Sequence, residues 1–376
     1  MRIGTCAGSE ADTAERIGRL AVRALLREVA AGPKPGLVDR FGSGSHDDMD
    51  FMTFSDSALA LGPSFAACAR EGLERGRSDP GWPAAATAAE RGSAATGPAG
   101  SQTTLVQAAD AAVKAADAAF LAALRLIGIQ GEKEMFAATG GINTHKGALF
   151  LVGFQAAAAG ALLGAGIPPT ADRIRRLAAR VARGIADREL PAAYANGTFA
   201  DGTHAKGTLA DGTDTHGAAA FRAHGSRGIR GEVESGLSSL DSGALALLRS
   251  ASSHGNIDDT ACVDTLLLLM TIVDDTTVLH RGGADALAFV RRSAFAALAL
   301  GGSATAEGRA ELGRMGREFE ARRISPGGSA DLLSAGIFLA ETEREFAGSA
   351  RGHSAISSGA RRPIKHHCRH PGAVRA

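Results

Sequence analysis

Apolar residues recur along this chain at helical spacing, and no run alternates with period two between turn signals. Ile17, Leu20, Ala21, Ala24 and Leu25 form one stripe, opened by Asp12 as an N-cap and closed at Ala31 before Gly32-Pro33. A second pattern runs from Met52 to Glu71 with a break at Gly62-Pro63, and a third, rich in Ala, from Thr103 to Ile127. Further helices are predicted over Gly147–Pro168, Ala171–Asp187, Asp258–His280, Ala284–Leu300 and Ala304–Arg323. A last one, capped by Ser325 or Ser329, reaches about Phe346. The expected fold class is all-α: a single-domain multi-helix bundle over residues 1–347, with a polar cleft formed by helix ends and Gly-rich loops. Flexible excursions are expected at about 78–101 and 196–214, the latter holding a small tandem repeat. The basic tail 348–376 is expected to be disordered.

The polar residues between these helices carry the chemistry. In Pro33-Lys-Pro-Gly-Leu-Val-Asp-Arg-Phe-Gly-Ser-Gly-Ser-His-Asp-Asp-Met-Asp50, prolines stiffen the loop and glycines let it turn. Lys34, Asp39, His46 and Asp48 lie within it, a mixture suited to holding a polyanion while leaving carboxylates for a metal or a proton. The plainer reading is a solvated loop of Asx turns and caps. Glu28 continues the first apolar stripe, so its carboxylate points inward and needs a task or a partner such as Lys34 or Arg40. Farther on, Asn143 is a plausible cap that places Thr144, His145 and Lys146 in a helical first turn. There a cation is misplaced unless it faces an anion.

Composition narrows the function. With 41 basic and 40 acidic residues the net charge is +1, and aromatics are 5% of the chain; neither a nucleic-acid field nor a set of stacking platforms is present. The four cysteines are far apart and form no Cys-x-x-Cys pair, which suits a reducing compartment. Gly147–Pro168 is nearly long enough to span a bilayer, yet it is mostly Ala and Gly without flanking aromatics and reads as a buried core helix. The expectation is a cytoplasmic protein with no nucleic-acid or membrane partner.

Several motifs share a vocabulary of Gly, an acid, His and one cation. They are Pro33-Lys-Pro-Gly-Leu-Val-Asp39, His46-Asp-Asp-Met49, Gly141-Ile-Asn-Thr-His-Lys-Gly147, Thr215-His-Gly217, Gly228-Ile-Arg-Gly-Glu232, Asp275-Thr276 with Arg281-Gly-Gly283, and Ser325-Pro-Gly-Gly-Ser-Ala-Asp331. No Walker or Rossmann signature accompanies them. In this order, from about Ala21 to Leu339, they resemble the triphosphoribosyl-dephospho-CoA synthase family. Thr277 stands where that family usually shows Asn.

The resemblance implies an all-α transferase that joins ATP to the 2′-hydroxyl of 3′-dephospho-CoA and releases adenine. The product is a prosthetic-group precursor, passed by a transferase to an acyl carrier protein of citrate lyase or malonate decarboxylase. On the motif positions, His46, Asp48 and Glu232 are the expected catalytic residues, with Asp48 or Glu232 as base. Lys34, Lys146, Arg230 and Arg281 are expected to hold phosphates. Glu232, Asp274 and Asp275 are candidates for Mg²⁺, and Glu28, Asp39, His145, His216, Ser329 and Asp331 complete the motifs. Two rivals make different predictions: an all-α Mg²⁺-dependent hydrolase or prenyl-transfer enzyme acting on diphosphates, and a non-catalytic binder of a CoA-type carrier.

Overall fold

The computed structural model describes residues 10–87, 102–195, 216–255 and 257–347. In chain order its helices are α1 (Glu10–Ala30), α2 (Phe51–Ala60), α3 (Gly62–Ser78), α4 (Gly81–Thr87), α5 (Gln102–Ala138), α6 (Lys146–Gly164), α7 (Ala171–Ala182) and α8 (Ile185–Ala195). Then come α9 (His216–His224), α10 (Gly228–Glu234), α11 (Ala244–Ser253), α12 (Asp259–Ile272), α13 (Thr276–Ala299), α14 (Ala306–Ala321) and α15 (Gly327–Phe346). Among the described residues the sole β-type pairing is an isolated bridge between Asp39 and Gly42, so the fold is all-α.

Helix α6 is the axis. From Ala148 to Leu162 every residue but half-buried Phe150 is buried, and the helix packs against α1, α3, α5, α7 and α15. Its neighbour α3 approaches at backbone distance because both helices present small residues at spacing four. A Cβ on Gly72 or Gly76 of α3 would lie 2.0 Å from the carbonyl oxygen of Ala157 or Ala161. In return, a Cβ on Gly160 or Gly164 of α6 would lie 2.2 or 2.3 Å from the carbonyl oxygen of Ala69 or Leu73. This is the one helix apolar and long enough to cross a membrane among the described residues, and it lies inside the fold.

Most predicted boundaries hold to within a few residues. Gly62-Pro63 does separate two helices, Pro63 sitting in the first turn of α3. Four segments differ. Helix α5 runs on past Ile127 to Ala138, through Gly131, whose missing Cβ leaves room for Ser64 and Leu149. The stretch predicted over Ala171–Asp187 divides into α7 and α8 at Gly184, whose φ is +75°. The helix predicted over Asp258–His280 stops at Ile272, and Asp275 caps a new helix three residues later. That new helix takes in the one predicted over Ala284–Leu300, with a single non-helical residue, Gly283, at the join. The 78–101 excursion contains α4; its remainder from 88, the tandem repeat and the tail lie outside the described residues.

Candidate active site

Three helix N-termini meet at one end of α6. Asp331, in the second turn of α15, sets its carboxylate against α6: a Cβ on Gly147 would lie 1.9 Å from an Asp331 oxygen, and the Ala148 N–H donates to that carboxylate. Asp275 ties α13 to α15. Its Oδ1 accepts from the N–H groups of Thr277 (3.0 Å) and Val278 (3.3 Å), and its Oδ2 from the N–H (2.8 Å) and hydroxyl (3.0 Å) of Ser329. One carboxylate therefore caps two helices, while neither serine caps α15 with its own side chain as the sequence predicts. Gly327 and Gly328 permit the approach: Cβ atoms there would meet Thr277 at 3.1 Å and the Asp275 carboxyl at 3.2 Å.

The Ala31–Asp50 loop closes the same end. Asp39 folds it by accepting from the N–H groups of Lys34 (2.8 Å), Phe41 (2.7 Å) and Gly42 (3.1 Å). Gly36, at φ +73°, passes so near the Ile324 carbonyl that a Cβ would lie 2.3 Å from it. Ser45 donates to that same carbonyl at 2.6 Å, and His46 Nε2 lies 2.8 Å from the Ser325 hydroxyl. Burial and the Arg281 guanidinium hold the His46 pKa below its usual value, so the imidazole is neutral near pH 7. Asp48 stands exposed 3.9 Å away.

The four cations expected at phosphate differ in freedom. Lys34 is buried; its ammonium is ion-paired with the Glu28 carboxylate and donates to the Glu28 carbonyl at 2.6 Å. Burial, partly offset by Lys34, raises the Glu28 pKa. Lys146 is half-buried and pairs with Glu132 at 3.0 Å. Arg230 pairs with buried Glu189 at 2.9 Å, its guanidinium 5.8 Å from the ring centre of Phe150, one turn along α6 from Lys146. Arg281 is exposed and reaches the Ser45 and Arg323 carbonyls at 3.5 and 3.3 Å. Contacts link these helix ends continuously: a Cβ on Gly228, heading α10, would lie 2.8 Å from Thr276 of α13. His216 begins α9.

His145 has a buried ring nitrogen, Nε2, with no hydrogen-bond partner among the described residues. The Ser57 hydroxyl accepts from the Thr144 hydroxyl (2.6 Å) and lies 2.8 Å from His145 Nδ1, which fixes the ring. Nε2 is buried and unpaired, and burial followed by nearby Lys34 pushes the pKa down to about 3. A neutral imidazole nitrogen left unpaired in the interior is an available hydrogen-bonding group.

A Mg²⁺ ion that travels with a triphosphate takes one or two protein carboxylates and fills its other positions with phosphate oxygen and water. Asp275 offers it nothing, since both oxygens are committed to the caps. Glu232, its pKa raised by burial, accepts from Ser239 (2.6 Å), and Asp274 accepts from Arg291 (2.7 Å). These two carboxylates feel each other electrostatically and retain lone pairs, so they suit such an ion. Among the described residues no three His, Cys, Asp or Glu side chains form a ready cage.

The family model for ATP:dephospho-CoA triphosphoribosyl transferase matches residues 14–349. The chain belongs to this family. Two relatives, from Stutzerimonas stutzeri (strain A1501) and Albidiferax ferrireducens (strain ATCC BAA-621 / DSM 15236 / T118), each bear the name "Probable 2-(5''-triphosphoribosyl)-3'-dephosphocoenzyme-A synthase". Each is 33% identical to this chain, over 87% of it and 91% of the first relative, and over 91% of it and 95% of the second. No solved structure matches. Membership makes the chain a transferase.

Ser57, Glu132 and Glu189 are the partners that sequence reasoning misses. Ser57 lies mid-helix in α2, and the two glutamates occupy ordinary helical positions; nothing local to them signals a long-range partner. Ser325 was legible as a cap and instead holds His46.

Proposed function

We propose that this transferase moves the 5-triphosphoribosyl group of ATP onto the 2′-hydroxyl of 3′-dephospho-CoA and releases adenine. The observation that carries the reading is the meeting of the α6, α13 and α15 N-termini with Lys146, Arg230 and Arg281 beside them. Positive helix ends and guanidinium groups suit a triphosphate that is retained rather than cleaved. Lys34, with two donors committed to Glu28, anchors the loop and lends its charge. Glu232 and Asp274 would hold Mg²⁺, which neutralises phosphate oxygens. His46, neutral and held by Ser325, orients the ribose, and the unpaired Nε2 of His145 supplies a further hydrogen-bonding group. In this reading the protein works in the cytoplasm and its product goes to a transferase that loads an acyl carrier protein of citrate lyase or malonate decarboxylase.

The test is to incubate purified protein with ATP, Mg²⁺ and dephospho-CoA and separate the products by chromatography. Free adenine, dependent on both substrates and without phosphate or pyrophosphate, is the expected result. Phosphate release would favour a hydrolase, and absence of turnover a carrier binder.

A further inference from the structure

The transfer needs a group that accepts the hydroxyl proton as the bond to the ribose forms, and the structure separates the carboxylates near the site by how much of each is already used. Asp39 and Asp275 are filled with backbone donors. Glu28 is bound to Lys34, Asp47 to Arg323, Asp274 to Arg291 and Glu232 to Ser239. Asp48 is exposed on the rim beside Arg281. Asp331 alone is set into the protein with a single backbone donor, Ala148, and without a paired cation among the described residues. It retains partial access to solvent, and the missing side chain at Gly147 leaves its oxygen beside the first turn of α6, next to Lys146.

We infer that Asp331 is the general base of the transfer. This rests on the reaction proposed above. The ribose C1–N bond of ATP breaks with its electron pair going to adenine, the 2′-oxygen of dephospho-CoA bonds to C1, and the 2′-hydroxyl proton passes to an Asp331 oxygen. Adenine takes up one proton and Asp331 later returns one to solvent, so none is gained or lost. The charged groups facing Asp331 are Glu28 of α1, with Lys34 from the loop beside it, and Asp275 of α13; α6 contributes the Ala148 N–H. Burial first, then Glu28 and Asp275, raise its pKa well above the usual carboxylate value, which makes it a stronger base than an exposed Asp.

The experiment compares wild type with D331N. Asparagine keeps the shape and the acceptor for Ala148, so a merely structural Asp331 predicts nearly unchanged kcat. The expected result is kcat reduced about 10²–10⁴-fold, with ATP and dephospho-CoA affinities within about threefold and the acidic limb of the wild-type kcat–pH profile lost. Stability should move the opposite way. A carboxyl whose pKa is raised on folding destabilises the native state as pH rises past its unfolded value of about 3.9. D331N should therefore melt above wild type at pH 8 and level with it near pH 4. Unchanged kcat, a rise in KM alone, or an unfolded D331N would each overturn the inference. Wild type that releases no adenine would instead overturn the reaction itself.

Discussion

The two ends of α6 use the same residue for opposite purposes. Near the C-terminus, Gly160 and Gly164 remove side chains so that the backbone of α3 can come close, and what fills the space is main-chain carbonyl. At the N-terminus Gly147 also removes a side chain, and what fills the space is the tip of Asp331. Main chain cannot retreat without moving a helix, whereas a carboxylate can turn about χ1. The first end is thus built for rigidity and the second for a group that must reach something. A glycine's role in this protein is decided by what lies opposite it.

The sharpest way to break that contrast is at the rigid end. Gly160→Ala places a methyl 2.2 Å from the Ala69 carbonyl oxygen, and Leu73 N is another 3.1 Å away. Overpacking of main chain against main chain should cost about 3 kcal/mol or more, outweighing the helix propensity gained, about 1 kcal/mol. Urea unfolding followed by circular dichroism should show the loss. A midpoint equal to wild type would mean that α3 and α6 slide apart freely and that the glycine pairs are not the lock.

Sequence periodicity revealed the long helices because burial, not propensity, decides them, and α6 showed its burial as a run apolar but for Gln155. It did not show the break at Val273–Asp275, where Asp275 caps α13 through the Thr277 and Val278 N–H groups and also receives Ser329, 54 residues on. Gly, acid and cation clusters at helix ends were visible without coordinates. Their duties were less visible. Lys34 and Arg281 look alike as cations in sequence, yet one is buried in an ion pair and the other is exposed. Asp275 and Asp331 look alike as acids, yet one is saturated with donors and the other is not.

Between the two extremes lies the junction that holds the site end in shape. Asp275→Ala removes acceptors from the first turns of both α13 and α15 and leaves buried N–H groups unpaired. With caps worth about 0.5–2 kcal/mol each, the expected loss is about 2–3 kcal/mol. The native state would still form, and hydrogen exchange should speed up first at Thr277, Val278 and Ser329. Protection unchanged at Ser329 would show that Asp275 does not join the helices, and the site end would then be held by packing alone.

The smallest structural effect is expected at Gly147, and there the comparison is most exacting. Gly147→Ala puts a methyl 1.9 Å from an Asp331 oxygen, a closer clash than the one at Gly160. Distance alone would rank it as the more damaging change. The atom displaced, however, ends a side chain that can rotate, so stability should fall by only about 1 kcal/mol, the scale of an off-rotamer χ. Activity should fall far more than stability, about tenfold or beyond, because a misplacement near 1 Å of a reacting group is enough to cost that much. The two readouts, urea midpoint and adenine release from the same preparation, must separate at Gly147 and move together at Gly160. If Gly147→Ala instead loses both in proportion, the N-terminal end of α6 is as rigid as its other end, and Asp331 is part of the packing.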